Sequence, residues 1–144
     1  HNAMTASDHK HKHNQPSSRT RKASGGTANR PGQEDPLVKG KIWIKGRQGT
    51  FIGYGRVVLL QRIQQYGSIS KAARSMKMSY RHAWELVDSM NCQARAPLVE
   101  TTTGGKGGGG ARLTEAGERA IAAFWKLYEN FQLFLEHESG RIEL

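Results

Sequence analysis

Large apolar side chains are almost missing from the first 36 residues and recur with structural periods from Leu37 onward. Lys41-Ile-Trp-Ile-Lys45 alternates, with Ile42 and Ile44 on one face and Trp43 on the other, the pattern of a half-buried strand. Gly46-Arg-Gln-Gly49 supplies turn residues, and Thr50-Phe-Ile-Gly-Tyr54 reads as the returning strand of a hairpin. From Arg56 to Tyr66 the spacing of Val57, Leu60 and Ile63 predicts a helix, closed by Gly67 as its left-handed residue. Ser68 is a good N-cap for the next helix, which carries Ile69, Ala72 and Ala73 inside. The small Ala pair lets two helices cross at close range. Met76-Lys-Met78 makes a turn, and Ser79 caps a longer helix to about Gln93 with Ala83, Leu86, Val87 and Met90 on one stripe. Pro97 to Thr101 reads as a strand, the Gly-rich segment as a loop, and Ala111 to Leu113 as the return strand. Thr114 caps a last helix, with Glu115 and Glu118 placed favourably against its N-terminal dipole.

Two short helices joined by a tight turn, then a Gly-rich hairpin, spell a winged helix-turn-helix. The fold class expected is mainly α: a winged helix-turn-helix with an N-terminal β-hairpin, a Gly-rich β-wing and a long C-terminal dimerisation helix. Its domains are expected to be a disordered basic tail over 1–36, the winged helix-turn-helix over 37–113 and the dimerisation helix over 114–144. In the last helix Ile121, Phe124, Tyr128, Phe131 and Leu135 are spaced three and four apart, a short heptad seam widened by Trp125, Leu127, Leu133 and Phe134. We read that seam as a surface for a second copy; folding back onto its own domain is the alternative.

Composition sharpens this picture. The 144 residues are only 36% hydrophobic, with net charge +10 and a pI near 10.1, which favours a polyanionic partner. The charge is uneven: ten Lys and Arg face three carboxylates between Arg47 and Arg112, whereas three face six from Thr114 to Leu144. The tail cannot offset its ordering entropy, and His1-Asn-Ala3 ahead of Met4 resembles a cloning remnant. No Cys or carboxylate cluster lies near His9, His11 and His13, so no metal site is expected, and a loose DNA arm is the better reading of this segment. No apolar run reaches the ~18 residues of a membrane span, so no membrane partner is expected. The single Cys92 excludes an intrachain disulfide and fits a cytoplasmic protein, and we place it partly buried near a helix end.

A helix-turn-helix sets the N-terminus of its second helix against base edges while the first helix crosses the backbone. That assigns Ser79, Tyr80, Arg81 and Trp84 to DNA. Arg81 suits a bidentate contact to guanine or a single phosphate, and Ser79 suits capping plus phosphate. Trp84 lies against sugar or a thymine methyl, or is partly buried against the wing. Lys71 and Arg74 on the first helix would take phosphates, with plain solvation as the alternative. His82 falls in reach of DNA, and His137 reads as solvated. Lys106 and Arg112 would reach backbone or minor groove from the wing. A nucleotide loop is a poor fit, because Lys106 is followed by Gly107 where G-x-x-x-x-G-K-[ST] needs a hydroxyl. The chain holds no catalytic constellation, so neither an enzyme nor a cofactor is expected.

Three segments carry a resemblance: Gly67-Ser-Ile-Ser-Lys-Ala-Ala-Arg74, Met78-Ser-Tyr-Arg-His-Ala-Trp-Glu-Leu86 and Thr103-Gly-Gly-Lys-Gly-Gly-Gly-Gly-Ala-Arg-Leu-Thr114. Together they resemble the N-terminal domain of the ModE family of molybdate-dependent transcriptional regulators, whose winged helix is similar to that of LysR-type regulators. The likeness covers about Lys41 to Leu135. It implies a dimer on a palindromic operator near molybdate-transport or molybdoenzyme genes, with Ser79, Tyr80, Arg81 and Trp84 on the recognition helix and Lys106 as the wing contact. In that family a pair of molybdate-binding domains follows the DNA-binding half, and these 144 residues include none, so molybdate binding by this chain alone is not expected. Two other classes stay open. One is a non-specific architectural DNA-binding protein; the other is an interaction module working through the aromatic C-terminal helix.

Overall fold

The structure, a computed structural model, describes residues 34–102 and 109–144. Among the described residues four strands and four helices follow in order: β1 (Ile44–Gly46), β2 (Gly49–Ile52), α1 (Tyr54–Tyr66), α2 (Ile69–Ser75), α3 (Tyr80–Gln93), β3 (Val99–Thr102), β4 (Gly110–Leu113) and α4 (Glu115–Arg141). The result is the winged helix-turn-helix expected from the sequence. The described residues fall into two compact units, one over Ile42–Tyr128 and one joining 34–41 with Glu129–Leu144.

In the larger unit β1 and β2 pair antiparallel around a two-residue turn, and Ile44↔Ile52 buries one edge while Trp43 stays outside. The pairing register shifts between Ile44 and Lys45, which gives the ribbon a bulge. Helix α1 ends where Gly67 adopts φ 68°, ψ 21°, and its N–H closes on the Ile63 carbonyl. A side chain would be strained there, as the left-handed region is costly for any residue with a Cβ. Ser68 then caps α2 by accepting from Lys71 N at 3.1 Å.

The turn into α3 uses a residue that sequence rules do not favour: Lys77 sits at φ 57°. Its N–H reaches the Arg74 carbonyl, and Met78 N reaches Ala73 O at 3.0 Å, so two helix-end carbonyls are satisfied by a lysine doing a glycine's work. Leu59, Leu60, Ile63, Ala72, Ala73, Ala83, Val87 and Met90 meet in one core with Val99, Ala111 and Leu113 from the second hairpin. The Ala positions let the helices of the motif approach closely.

Phe124, on the first half of α4, is fully buried in that same core, and Ile121, Trp125 and Tyr128 pack against it. Tyr54, Phe124, Trp125 and Tyr128 form an aromatic cluster with centroids 5.4 to 6.0 Å apart. This corrects the expectation for Phe124. The ring is covered by its own chain, as in the fold-back alternative. In the smaller unit Leu135 is likewise covered, with Gly40 against Phe131 and Leu135, and Val38 N–H donates to Ser139 Oγ at 2.7 Å. The exposed large apolar side chains of α4 are Leu133 (58%) and Phe134 (55%), two of the residues expected to widen the seam.

Candidate nucleic-acid interface

Helix α3 presents its N-terminal end because three fastenings hold the rest of it. Half-buried Arg56 donates to Ser89 Oγ at 3.0 Å, tying α1 to α3; burial pulls its pKa down from the usual arginine value. Gln93 donates to Thr50 O at 3.0 Å and accepts from Gln48 N at 3.1 Å, fixing the first hairpin to the C-terminal turn of α3. Asn91 behaves as a spare strand edge: its Oδ1 accepts from Leu98 N (2.8 Å) and Val99 N (3.2 Å), and its Nδ2 donates to Val99 O at 3.0 Å. From α1, Arg62 holds Ser75 at the end of α2, donating to its Oγ at 2.8 Å and to its carbonyl at 3.3 Å.

The free end starts with Ser79 at φ −71°, ψ 154°, accepting from His82 N at 3.0 Å. One orphan donor of the helix is thus satisfied, and the adjacent side chains project in fixed directions. Tyr80, Arg81 and His82 are exposed, and Trp84 is half-buried against the core. Two bonds one turn apart order this face. Trp84 Nε1–H donates to the Tyr80 hydroxyl, and Arg81 Nε donates to Glu85 Oε2 at 3.4 Å. Trp84 is therefore partly core and partly a partner of an exposed Tyr.

Lys71 and Arg74 lie exposed on α2, and neither has a carboxylate partner among the described residues. Arg112 is different. It sits directly opposite Glu100 in the β3–β4 register, and its Nη2 donates to Glu100 Oε1 at 2.9 Å. Gly110 N bonds Thr102 Oγ1 at 2.9 Å at the neck of this hairpin, and Ala111 N bonds the Gly67 carbonyl at 3.0 Å. The second link anchors β4 on the α1–α2 junction, so the wing strands and the helix-turn-helix share one frame. Lys106, and with it residues 103–108 of the Gly-rich segment, lies outside the described residues, as do His9, His11 and His13. Cys92 is exposed, not partly buried as the sequence suggested.

Thus Ser79, Tyr80, Arg81 and Trp84 are brought together within two turns of α3, while Lys71 and Arg74 occupy the helix before it. The residues missed from sequence are partners: Glu85, Glu100, Ser89 and Asn91. Glu85 was legible, being four residues from Arg81 on a predicted helix. Glu100 was not, because its distance from Arg112 depends on a strand register. No described helix is long and apolar enough to cross a membrane.

Comparison with known proteins agrees with this geometry. The family described as bacterial regulatory helix-turn-helix protein, lysR family, matches residues 55–118. The chain is 45% identical over 96 residues to the transcriptional regulator ModE of Haemophilus influenzae, covering 67% of this chain and 36% of that protein. It is 51% identical over 78 residues to the molybdenum-pterin-binding protein MopB of Rhodobacter capsulatus, covering 54% and 29%. To the DNA-binding transcriptional dual regulator ModE of Escherichia coli K12 it is 43% identical over 83 residues, covering 58% and 32%. The chain spans about a third of the length of these curated relatives.

Proposed function

From a chain that carries a lysR-family helix-turn-helix domain and is related to the ModE regulators, we propose a sequence-specific DNA-binding transcriptional regulator working in molybdenum metabolism. The observation that carries this reading is the exposed Ser79–Tyr80–Arg81 end of α3, held by a capping hydroxyl on a helix otherwise fastened at its far end. Such an end fits the major groove, with Arg81 toward base edges and Tyr80 and Ser79 toward phosphate. Lys71 and Arg74, with no carboxylate partner among the described residues, supply backbone contacts from α2. Lys106 joins them from the wing on sequence grounds.

The regulator acts as a dimer on a palindromic operator in the cytoplasm. Support for the dimer is the exposed Leu133–Phe134 pair on α4, an apolar patch with no role in the core of this chain. Two recognition helices then sit roughly 34 Å apart or at a multiple of that spacing. Selection of bound duplexes from a random library, at physiological salt with competitor DNA, tests the whole reading. An enriched inverted repeat whose genomic matches fall near molybdenum genes is the expected result. Tight binding without enrichment would replace it with the architectural alternative.

A further inference from the structure

We propose that Glu85 is a positioning residue that makes Arg81 a reader of a base instead of a ligand of phosphate; this rests on the DNA-binding reading above. Arg81 and Glu85 lie four apart on α3, and the bond runs from Nε to Oε2 at 3.4 Å. Both side chains are exposed, at 87% and 62%, so neither is recruited to the core. The atom used matters. With Nε engaged, the two Nη groups keep their outward N–H donors, which form the fork that matches guanine O6 and N7. Arg112 gives the contrast on the same molecule: Glu100 takes an N–H of its Nη2, so one arm of the fork itself is engaged.

Charge points the same way. A carboxylate beside the guanidinium offsets its field, and a phosphate approaching Arg81 meets Glu85 as well. Guanine carries no net charge, so its hydrogen bonds keep their geometry while the attraction to backbone weakens. Lys71 and Arg74, which have no carboxylate partner among the described residues, keep their full attraction to phosphate. The α2 cations thus supply affinity, and the paired Arg81 supplies discrimination. In the free protein the pair is worth little, being screened by water; inside a desolvated groove its direction counts for more.

Duplex selection followed by titration of the preferred and a scrambled duplex, on wild type, R81A, E85A, E85Q and R81A/E85A, tests this, with far-UV circular dichroism confirming the fold of each. In E85A preference falls at least about threefold at the one base position that R81A also relaxes, and binding to the scrambled duplex tightens with a steeper salt slope. E85Q, which keeps an acceptor for Nε, retains part of the preference yet shows the tighter non-specific binding. The double variant loses no more than R81A. An E85A profile identical to wild type overturns the proposal. So does a loss at a different position that adds to the R81A loss, since Glu85 would then accept directly from a cytosine amine. A wild type that enriches no sequence removes the DNA-reading premise itself, and the proposal with it.

Discussion

Gly117, in the first turn of α4, gives the sharpest test of the packing, because two familiar effects of Gly→Ala oppose each other there. In an open helical position the substitution stabilises by roughly 0.5–1 kcal/mol, through unfolded-state entropy and helix propensity. At Gly117, however, an added Cβ would stand 2.3 Å from the Leu98 carbonyl oxygen and 3.4 Å from Leu113 Cβ. An ordinary C···O approach is about 3.3 Å or more, so β3 and α4 must separate by about 1 Å. The bonds in the way are named. Leu98 O accepts from Thr114 N at 3.0 Å, and Thr114 Oγ1, 3.3 Å from that oxygen, also caps Gly117 N at 3.0 Å. Losing one such backbone bond costs about 1 kcal/mol, losing the cap about 1, and forcing the contact about 1–3. Net of the entropy gain, Gly117→Ala destabilises by about 2–4 kcal/mol, or about 10–30 °C in Tm for a domain of this size. Urea denaturation followed by circular dichroism measures it. Gly55→Ala is the internal control, since nothing lies within 4 Å of a Cβ there and the backbone is helical; it should hold or raise stability by up to about 1 kcal/mol. If Gly117→Ala were as stable as Gly55→Ala, the close approach of Leu98 to α4 would be refuted.

Four further outcomes are expected. Asn91→Ala strips three hydrogen bonds from the start of β3 and should cost about 1–3 kcal/mol by the same denaturation assay; a neutral variant would mean water replaces the amide fully. Lys77→Gly relieves the left-handed lysine and should raise stability by up to about 1 kcal/mol, against a loss if φ 57° is not the populated state. Lys71→Ala and Arg74→Ala should each weaken binding to all duplexes alike and reduce the slope of log K against log salt by about 1. Sequence-selective losses would instead make them readers. Leu133→Glu with Phe134→Glu should halve the mass seen by light scattering while helicity is retained, and an unchanged mass would move the interface off this half of α4.

The Gly67 stop, the Ser68 and Ser79 caps and the Thr114 cap were all legible in the sequence and stand where the pattern put them, whereas the strand read over Lys41–Lys45 forms only at Ile44–Gly46, its alternating burial kept. These features are local: a cap, a left-handed glycine or a helical stripe involves residues within about four positions, whose geometry the backbone already sets. The first half of the α4 seam misled for an equally physical reason. A three-four spacing says that one face is apolar, but not what covers it, and burial of Phe124 was settled by Tyr54, Trp125, Tyr128 and the core beside them. Arg81 and its neighbours could be assigned to one exposed helix end from spacing alone. The Glu100 partner of Arg112, the Asn91 clamp, the Ala111 link to Gly67 and the tight seat of Gly117 join residues brought together by strand register and helix crossing. Periodicity determined which elements form and which end of α3 is free; only tertiary packing decided which charges are paired and which apolar face is left over, because those depend on distances that no one-dimensional pattern contains.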